Sequence, residues 1–328
     1  MELAKITTGV SCYAPKGVSA RPQPSTIHVG ARMSQLPFMT EAVRREFPPG
    51  KVRELTPLVR RITGTNAGMM TGPGTNTYLV GTQRIAVIDP GIDDAAHLEA
   101  VAAAGDGRIE WIIVTHKHPD HAPGSRRLQA LTGAPVLAHP TPLEGVHDRD
   151  FAADEWLHDG DTVATDEFTL RVMHTPGHAA DHLCLLLEEE RILLAGDQVM
   201  DGATVVIAPP DGDMRAYLQS LERLRRLDLD ALAPGHGRLL KDPRSVLDEI
   251  IDHRQEREHM VLNAVIEQRL SDVPAMVAHI YTDVPEALHP VARGTVLAHL
   301  YKLQAEGLVE QHEAHWRAGS QPKRSAHP

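Results

Sequence analysis

The sequence predicts an α/β chain of layered sheets with helices on the outside, followed by a small winged-helix module. Three observations predict it. Many short strand-like runs alternate with helical ones between residues 51 and 250. The clustered histidines in that stretch, at 116–121, 174–178 and 236, each follow directly on a predicted strand. Beyond residue 250 the texture changes to three helical runs and a short hairpin. The chain therefore divides into an extension (1–50), a main domain (51–250), a winged-helix-like domain (251–316) and a polar tail (317–328).

Order begins near Val52. Residues 58–62 read as a first strand, and residues 77–80, after the Gly72-Pro73-Gly74 turn, as a second. Residues 85–89 are a third, stopped by Pro90-Gly91. Residues 97–104 have helical spacing and end at Gly105. Residues 109–114 are almost continuously apolar, which suits a strand buried on both faces. They lead into Thr115-His116-Lys117-His118-Pro119-Asp120-His121. A helix over 124–131, ended by Gly133, and a strand over 136–138 follow. Residues 168–173 alternate as a strand and run into His174-Thr175-Pro176-Gly177-His178. Strands over 183–187 and 192–195 flank Glu188-Glu189-Glu190, and the second ends at Gly196-Asp197. A helix over 217–227 precedes a strand over 231–233 that ends at Pro234-Gly235-His236-Gly237. Helices over 253–270, 276–281 and 295–305 and a hairpin from 307 to 316 make up the winged-helix module.

The bulk numbers bound the class. The chain has 328 residues, 42% of them hydrophobic, and only 4% aromatic, so Leu, Val, Ile and Ala must build the core. No apolar run is long enough for a membrane span, and the N-terminus lacks the apolar centre of a secretory signal. Cys12 and Cys184 lie far apart and imply no disulfide framework, so a reducing, cytoplasmic setting is expected. A net charge of −11 argues against unspecific nucleic-acid binding through the whole surface. The 20 histidines, several of them clustered, point to metal.

The spacing His116-x-His118-x-Asp120-His121 carries the chemistry. In an extended loop His116 and His118 point the same way, and Asp120 and His121 follow where the chain turns into a helix. His178 would complete the nitrogen set of one ion, His236 would add to that of a second, and Asp197 could bridge them. Nitrogen and oxygen donors without thiolate suit Zn2+, and also Mn2+ or Fe2+. Zinc lowers the pKa of bound water from about 15.7 to about 7. At about 1.36 kcal/mol per unit this eases ionisation by roughly 12 kcal/mol. A metal-bridging hydroxide would then attack at neutral pH, with Asp120 as the catalytic residue that orients it and carries a proton to the leaving group. Asn76, in Gly74-Thr75-Asn76-Thr77-Tyr78, is a candidate substrate contact, with a turn role as the alternative. His174 and His182 are candidates for supporting hydrogen bonds, Pro209-Pro210-Asp211-Gly212 reads as a rigid turn near the site mouth, and His139 and His147 have no sequence partner.

In order, THKHPDHAPG, TPGH, AGD and PGHG resemble the ligand motifs of the metallo-β-lactamase superfamily. GTNTYLVG, HTPGHAADH, GDQVM, APPDGDMRAYLQSLERL and LHPVARGTVLAHLYKLQAEGLV are similar to its lactamase-β-like single-strand endoribonucleases, over roughly residues 55–316. The resemblance implies a four-layer αββα metallo-β-lactamase sandwich and two zinc ions per chain. It places His116, His118 and His178 on one ion, Asp120, His121 and His236 on the other, and Asp197 between them. An aspartate at the bridging position argues against antibiotic hydrolysis. The short stretch between Asp197 and His236 leaves no room for the inserted domain of the β-CASP nucleases.

These readings lead to a dinuclear zinc hydrolase, with single-stranded RNA as the substrate the narrower resemblance implies. The acidic charge and the scarcity of aromatics, which RNA sites use for stacking, keep a glyoxalase II-like hydrolase of small thioesters or esters as the alternative. That family's glutathione-binding tail is not recognisable here. An alternative of another class is a winged-helix regulator of nucleic acid with a metal-sensing domain. Its third helix offers only Arg293, Lys302 and His299, which favours a packing or dimerisation module, and hence a homodimer, over DNA reading. No membrane partner is expected.

Overall fold

The structure is a computed structural model that describes residues 41–141, 151–282 and 284–319. Cys12, His147, most of the N-terminal extension and the end of the polar tail lie outside the described residues. A short helix α1 (Glu41–Glu46) precedes the first sheet. That sheet contains β1 (Val52–Glu54), β2 (Val59–Thr63), β3 (Asn76–Val80), β4 (Ile85–Ile88), β5 (Ile109–Ile113), β6 (Val136–Ala138) and β7 (Glu155–Trp156), in sequential order. Strands β1 to β4 pair antiparallel and β4 to β7 parallel. The β4–β5 and β5–β6 crossovers run through α2 (Ala95–Gly105) and α3 (Gly124–Thr132). Asp94 caps α2 by accepting from the backbone N–H of Ala96 and His97.

The second sheet contains β8 (Thr162–Ala164), β9 (Thr169–His174), β10 (Leu183–Leu187), β11 (Ile192–Gly196), β12 (Ala231–Pro234) and β13 (Leu240–Lys241), in reversed sequential order across the sheet. Only β11 and β12 pair parallel, joined through α4 (Met214–Leu224). The remaining elements are α5 (Pro243–Ile266), α6 (Val273–Ile280), α7 (His289–Ala305), and the hairpin β14 (Val309–His312) and β15 (His315–Ala318).

The alternation along β10 shows how the layers arise. Leu183, Leu185 and Leu187 face the first sheet and pack against Tyr78, Ile88 and Ile113. Cys184 and Leu186 face outward, in a cluster with Tyr217 and Leu221 of α4 and Leu247 and Ile251 of α5. On the far side of the first sheet, Leu79, Val87 and Ile112 meet Leu98 and Val101 of α2 and Leu128 of α3. The order is helices, sheet, sheet, helices, so the inner strands β3, β4, β10, β11 and β12 are buried on two faces. That burial is why β4, β10 and β11 read as continuous apolar runs.

Two glutamates tie the sheets together at turns. Glu190, in the β10–β11 turn, accepts from the Leu58 N–H at 3.1 Å and from the Thr56 hydroxyl. Glu167, between β8 and β9, accepts from the Thr82 hydroxyl and from the N–H groups of Thr82, Gln83 and Arg84. The Thr82 hydroxyl and these amides hold its carboxyl at about 2. A carboxylate held low stabilises the fold above its ordinary range, and that contribution fades as pH falls from about 4.5 towards about 2. Glu167→Gln is expected to lower stability in urea by about 1 kcal/mol at neutral pH. The two proteins should converge at the acid end of that window.

The helix expected to begin at residue 253 begins ten residues earlier, at Pro243, behind an Asp242 cap that accepts from the Ser245 N–H. It runs straight through position 250, so the change of texture there is not a break in the backbone. Its first half (Leu247, Ile250, Ile251) packs on the second sheet. Its second half (Val261, Ala264, Val265) packs with Met276, Val277, Val296, Leu300 and Trp316 in the C-terminal core. One rigid rod therefore carries the winged helix against the sandwich. Among the described residues no helix is long and apolar enough to cross a membrane.

Candidate metal centre

The strand ends deliver the histidines to one edge shared by both sheets. The loop after β5 carries His116, His118, Asp120 and His121, and closes on itself where the N–H groups of His121 and Ala122 donate to the His118 carbonyl. His178 follows β9, Asp197 follows β11 and His236 follows β12. Backbone bonds lock these loops together: Leu183 N–H to the Thr115 carbonyl at 2.8 Å, Gly235 N–H to Gly196 at 2.7 Å, and Asn76 N–H to Gly235 at 2.8 Å.

The seven predicted side chains form two adjacent groups that could each hold an ion. His116, His118 and His178 make one; Asp120, His121, Asp197 and His236 make the other, the donor atoms of each lying within 4.8 Å of one another. His178 Nε2 is 3.0 Å from His118 Nδ1. Asp197 Oδ1 lies 3.4 Å from His121 Nε2 and 3.3 Å from His236 Nε2, while its Oδ2 lies 3.7 Å from His178 Nε2. One carboxylate thus faces both groups. Asp120 Oδ2 lies 3.3 Å from His236 Nε2 and 3.5 Å from His121 Nε2.

Two features fit metal better than a metal-free cluster. First, His116 Nε2, His121 Nε2, His236 Nε2 and Asp197 Oδ1 are buried without a hydrogen-bond partner, and all belong to these groups. Buried polar atoms are rarely left so. Second, every histidine has its other ring nitrogen held by oxygen, as ligand histidines do. His116 Nδ1 meets the Thr115 hydroxyl at 3.0 Å, and His118 Nε2 meets Asp211 at 3.2 Å. His121 Nδ1 meets Asp89 at 2.9 Å, His178 Nδ1 the Val206 carbonyl at 2.8 Å and His236 Nδ1 the Gly74 carbonyl at 3.3 Å. Each bond turns the free nitrogen towards the centre.

Protonation follows the same logic. Burial, and then the neighbouring imidazoles, push His116 well below its ordinary value and His178 down to about 4. Against the cost of burial, His121 and His236 hold Asp120 at about 2, and His236 and His121 hold Asp197 well below the carboxylate range. Despite burial, Asp120 and Asp197 raise His121, and Asp197 and Asp120 raise His236 to about 9. Without metal the two carboxylates keep protons on His121 and His236. A cation would take their place and release them.

Asn76 is a correction. Its side chain has no exposed surface, so it cannot meet a substrate. Its Nδ2 donates to the carbonyls of Pro234 and Gly237, at 3.1 and 2.9 Å, and its Oδ1 accepts from the Thr63 hydroxyl. It pins the loop that carries His236. His182 is fully buried: its Nε2 accepts from the Asp197 N–H at 3.1 Å and its Nδ1 meets the Thr175 hydroxyl at 2.9 Å, so it fixes the backbone of Asp197. His174 bonds the Ala180 carbonyl and stacks on His139, which thereby has a partner the sequence did not disclose. Cys184 is buried and free, its thiol pushed up to about 12 by burial.

Asp89 is the residue that sequence reasoning missed. It ends β4 with φ 51, accepts from the Thr115 N–H at 2.7 Å and hydroxyl at 2.8 Å, and orients His121. A carboxylate closing a wholly apolar strand was the available signal. Asp89→Asn tolerates the left-handed backbone and removes the charge together with one of the two oxygens that accept from Thr115 and His121. It is expected to weaken metal binding by about 10- to 100-fold, read by competition with a chromogenic chelator.

A cavity of about 470 Å³ opens on His118, Asp120, His178 and Asp197. Its walls are largely apolar, with Met200, Val205 and Val206 from the loop after β11, and Leu288 and Val291 from the turn into α7 and its first turn. The winged-helix module thus closes one side of the site.

A four-layer sandwich with this histidine and aspartate edge defines a class of metal-dependent hydrolases, and the chain belongs to it. Residues 70–236 match the metallo-beta-lactamase superfamily, and residues 273–316 match the beta-lactamase associated winged helix domain. Among its relatives is the beta-lactamase-like protein 2 homolog of Caenorhabditis elegans, 33% identical over 79% of this chain and 88% of that one. The atrochrysone carboxyl ACP thioesterase of Aspergillus fumigatus is 32% identical over 73% of this chain and 71% of its own length. A metallo-beta-lactamase family protein from Thermus thermophilus shares the fold at a TM-score of 0.67 and 24% identity, over 81% of this chain and 100% of that one. A beta-lactamase domain protein from Burkholderia ambifaria does so at 0.69 and 20%, over 82% and 94%. The protein is an enzyme, a hydrolase of this superfamily with candidate metal-binding residues.

Proposed function

We propose that the protein hydrolyses small acyl thioesters or esters, with its seven site residues holding two zinc ions; Mn2+ or Fe2+ also suit the donors. The observation that carries this is the cavity: apolar, within the size range of small-molecule sites, and opening directly on the two ligand groups. The thioesterase among the relatives supports it. When bound, the metal supplies a Lewis acid and a water of lowered pKa.

The chain's own residues do the rest. The apolar walls take the acyl group and exclude water from the reacting centre. Asp120, held ionised and the most exposed of the four residues in its group, is placed to accept a proton from the attacking water. It then returns that proton to the departing thiolate or alkoxide as the acyl bond breaks. Asp197 and the five histidines, fixed through Asp89, Asp211, Thr115, His182 and the carbonyls of Val206 and Gly74, hold the geometry. Single-stranded RNA is the second reading. The winged helix and the basic residues His253, Arg254 and Arg257 on the cavity wall favour it. The narrow apolar lining and the charge of −11 weigh against it.

The test is thiol release from a short acyl thioester by the zinc-loaded protein, beside cleavage of end-labelled single-stranded RNA. Asp120→Ala, prepared identically, controls for contaminants. Thioester cleavage by the wild type alone is the expected result. RNA cleavage by the wild type alone, with the thioester intact, overturns it in favour of the second reading.

A further inference from the structure

We infer that the α5 wall of this cavity is a binding subsite for an oxyanion, a carboxylate or phosphate that the substrate carries away from the bond being cut, and that Arg254 is its central cation. The inference rests on the hydrolase reading above and names the chemistry of its substrate more closely.

Arg254 lines the cavity, yet it is among the largest fully buried side chains, at 2% exposure. Its Nη2 donates to the Val205 carbonyl, and its guanidinium lies 5.4 Å from the centre of the Tyr217 ring. Its Nε is buried without an acceptor. Among the described residues no carboxylate pairs with it. The acid one turn further along, Glu258, is taken by Lys302 at 2.6 Å and His299 at 3.3 Å. The acids that line the cavity, Asp120, Asp197 and Asp211, are turned to the histidines of the metal centre. An arginine stays charged in any protein environment, and a buried charge without a counter-ion is costly. His253 and Arg257, on the same helix, also line the cavity, so its basic side chains outside the metal centre gather on this wall. An anion entering here would supply the missing counter-charge in a poorly screened place, where the attraction is strong. The substrate that fits is an acyl ester or thioester bearing a second, acidic group.

A purely structural role for Arg254 makes a different prediction. Its Val205 contact adjoins the Val206 carbonyl that orients His178, so a structural defect would weaken every ligand of the site alike. The experiment is calorimetric binding of a dicarboxylate series, succinate to sebacate, to the zinc-loaded protein. Each is compared with the monocarboxylate of equal length and with its ω-phosphonate analogue, using wild type, Arg254→Met and Arg254→Lys. Wild type is expected to bind the best-fitting dianion roughly 10- to 100-fold tighter than its monocarboxylate. Arg254→Met should abolish that ratio and leave the monocarboxylate unchanged, and Arg254→Lys should restore part of it. The stronger of the carboxylate and phosphonate arms identifies the anion. Equal weakening of all ligands by Arg254→Met, or no preference for any dianion by the wild type, overturns the subsite. The wild-type series decides alone if the methionine variant does not fold. Because binding is read without turnover, Arg254-dependent selectivity in a protein that cleaves no thioester would keep the subsite and overturn only the hydrolase reading.

Discussion

Asp197→Ala is expected to strip metal from both groups and to abolish turnover while leaving the sandwich folded. The carboxylate is the one side chain whose two oxygens face different groups, Oδ1 towards His121 and His236 and Oδ2 towards His178. Removing it would take away the negative charge that lies between the two ligand groups. It also leaves His121 Nε2 and His236 Nε2 with Asp120 as their remaining nearby carboxylate. The loss should exceed the roughly 10- to 100-fold that attaches to a residue merely supporting a ligand. The fold should survive because Asp197 is anchored by its backbone, through His182, and contributes no side chain to the apolar clusters. Far-UV circular dichroism and urea unfolding of the metal-free proteins separate the two effects. A variant that keeps both ions and a tenth or more of its turnover would show that Asp197 is a bystander.

Gly235→Ala should be nearly as damaging through space alone. A Cβ on Gly235 would sit 2.4 Å from Asp197 Oδ1 and 2.8 Å from His121 Cε1. Both side chains are buried and held on their far sides, His121 by Asp89 and the Asp197 backbone by His182, so neither can withdraw by a simple rotation. One methyl group would displace two side chains of one candidate ligand group. Metal affinity is expected to fall about 100-fold or more, beyond the effect of losing a supporting partner. The metal-free stability should fall as well, by about 1–3 kcal/mol, since the clash is present with or without an ion. Wild-type affinity in the variant would mean that the loop bearing His236 is looser than its backbone bonds to Gly196 and Asn76 indicate.

The grouping of the candidate ligands was legible in the sequence because their spacing is dictated by local geometry. His116, His118, Asp120 and His121 lie in one loop, and each of the other three closes a strand whose apolar run is plain to read. The layers were legible for the same reason, since a sheet buried on both faces leaves uninterrupted Leu, Ile and Val. The residues behind the ligands were not. Asp89, Asp211 and Asn76 act through partners 32, 93 and up to 161 positions away, and nothing in a single sequence records such pairs. A polar residue in a glycine-rich turn looks exposed, which makes Asn76 a candidate substrate contact in the sequence; burial between two loops decides otherwise. The short strands β1, β7, β8 and β13, of two or three residues each, carry too few positions for a period to show. The start of α5 was readable in Asp242-Pro243, a cap followed by a first-turn proline, but the amphipathic stripe after it alternates between two cores and blurs. The cavity and its basic wall were beyond reach, since α5, the loop after β11 and α7 meet there only in three dimensions.

The most direct test of the account is the metal content of the purified protein, wild type against Asp120→Ala, after loading with zinc and removal of excess. The account predicts two ions per chain in the wild type and fewer in the variant, since Asp120 belongs to one of two adjacent ligand groups. Far fewer than two ions in the wild type, with Asp120→Ala unchanged, would contradict it.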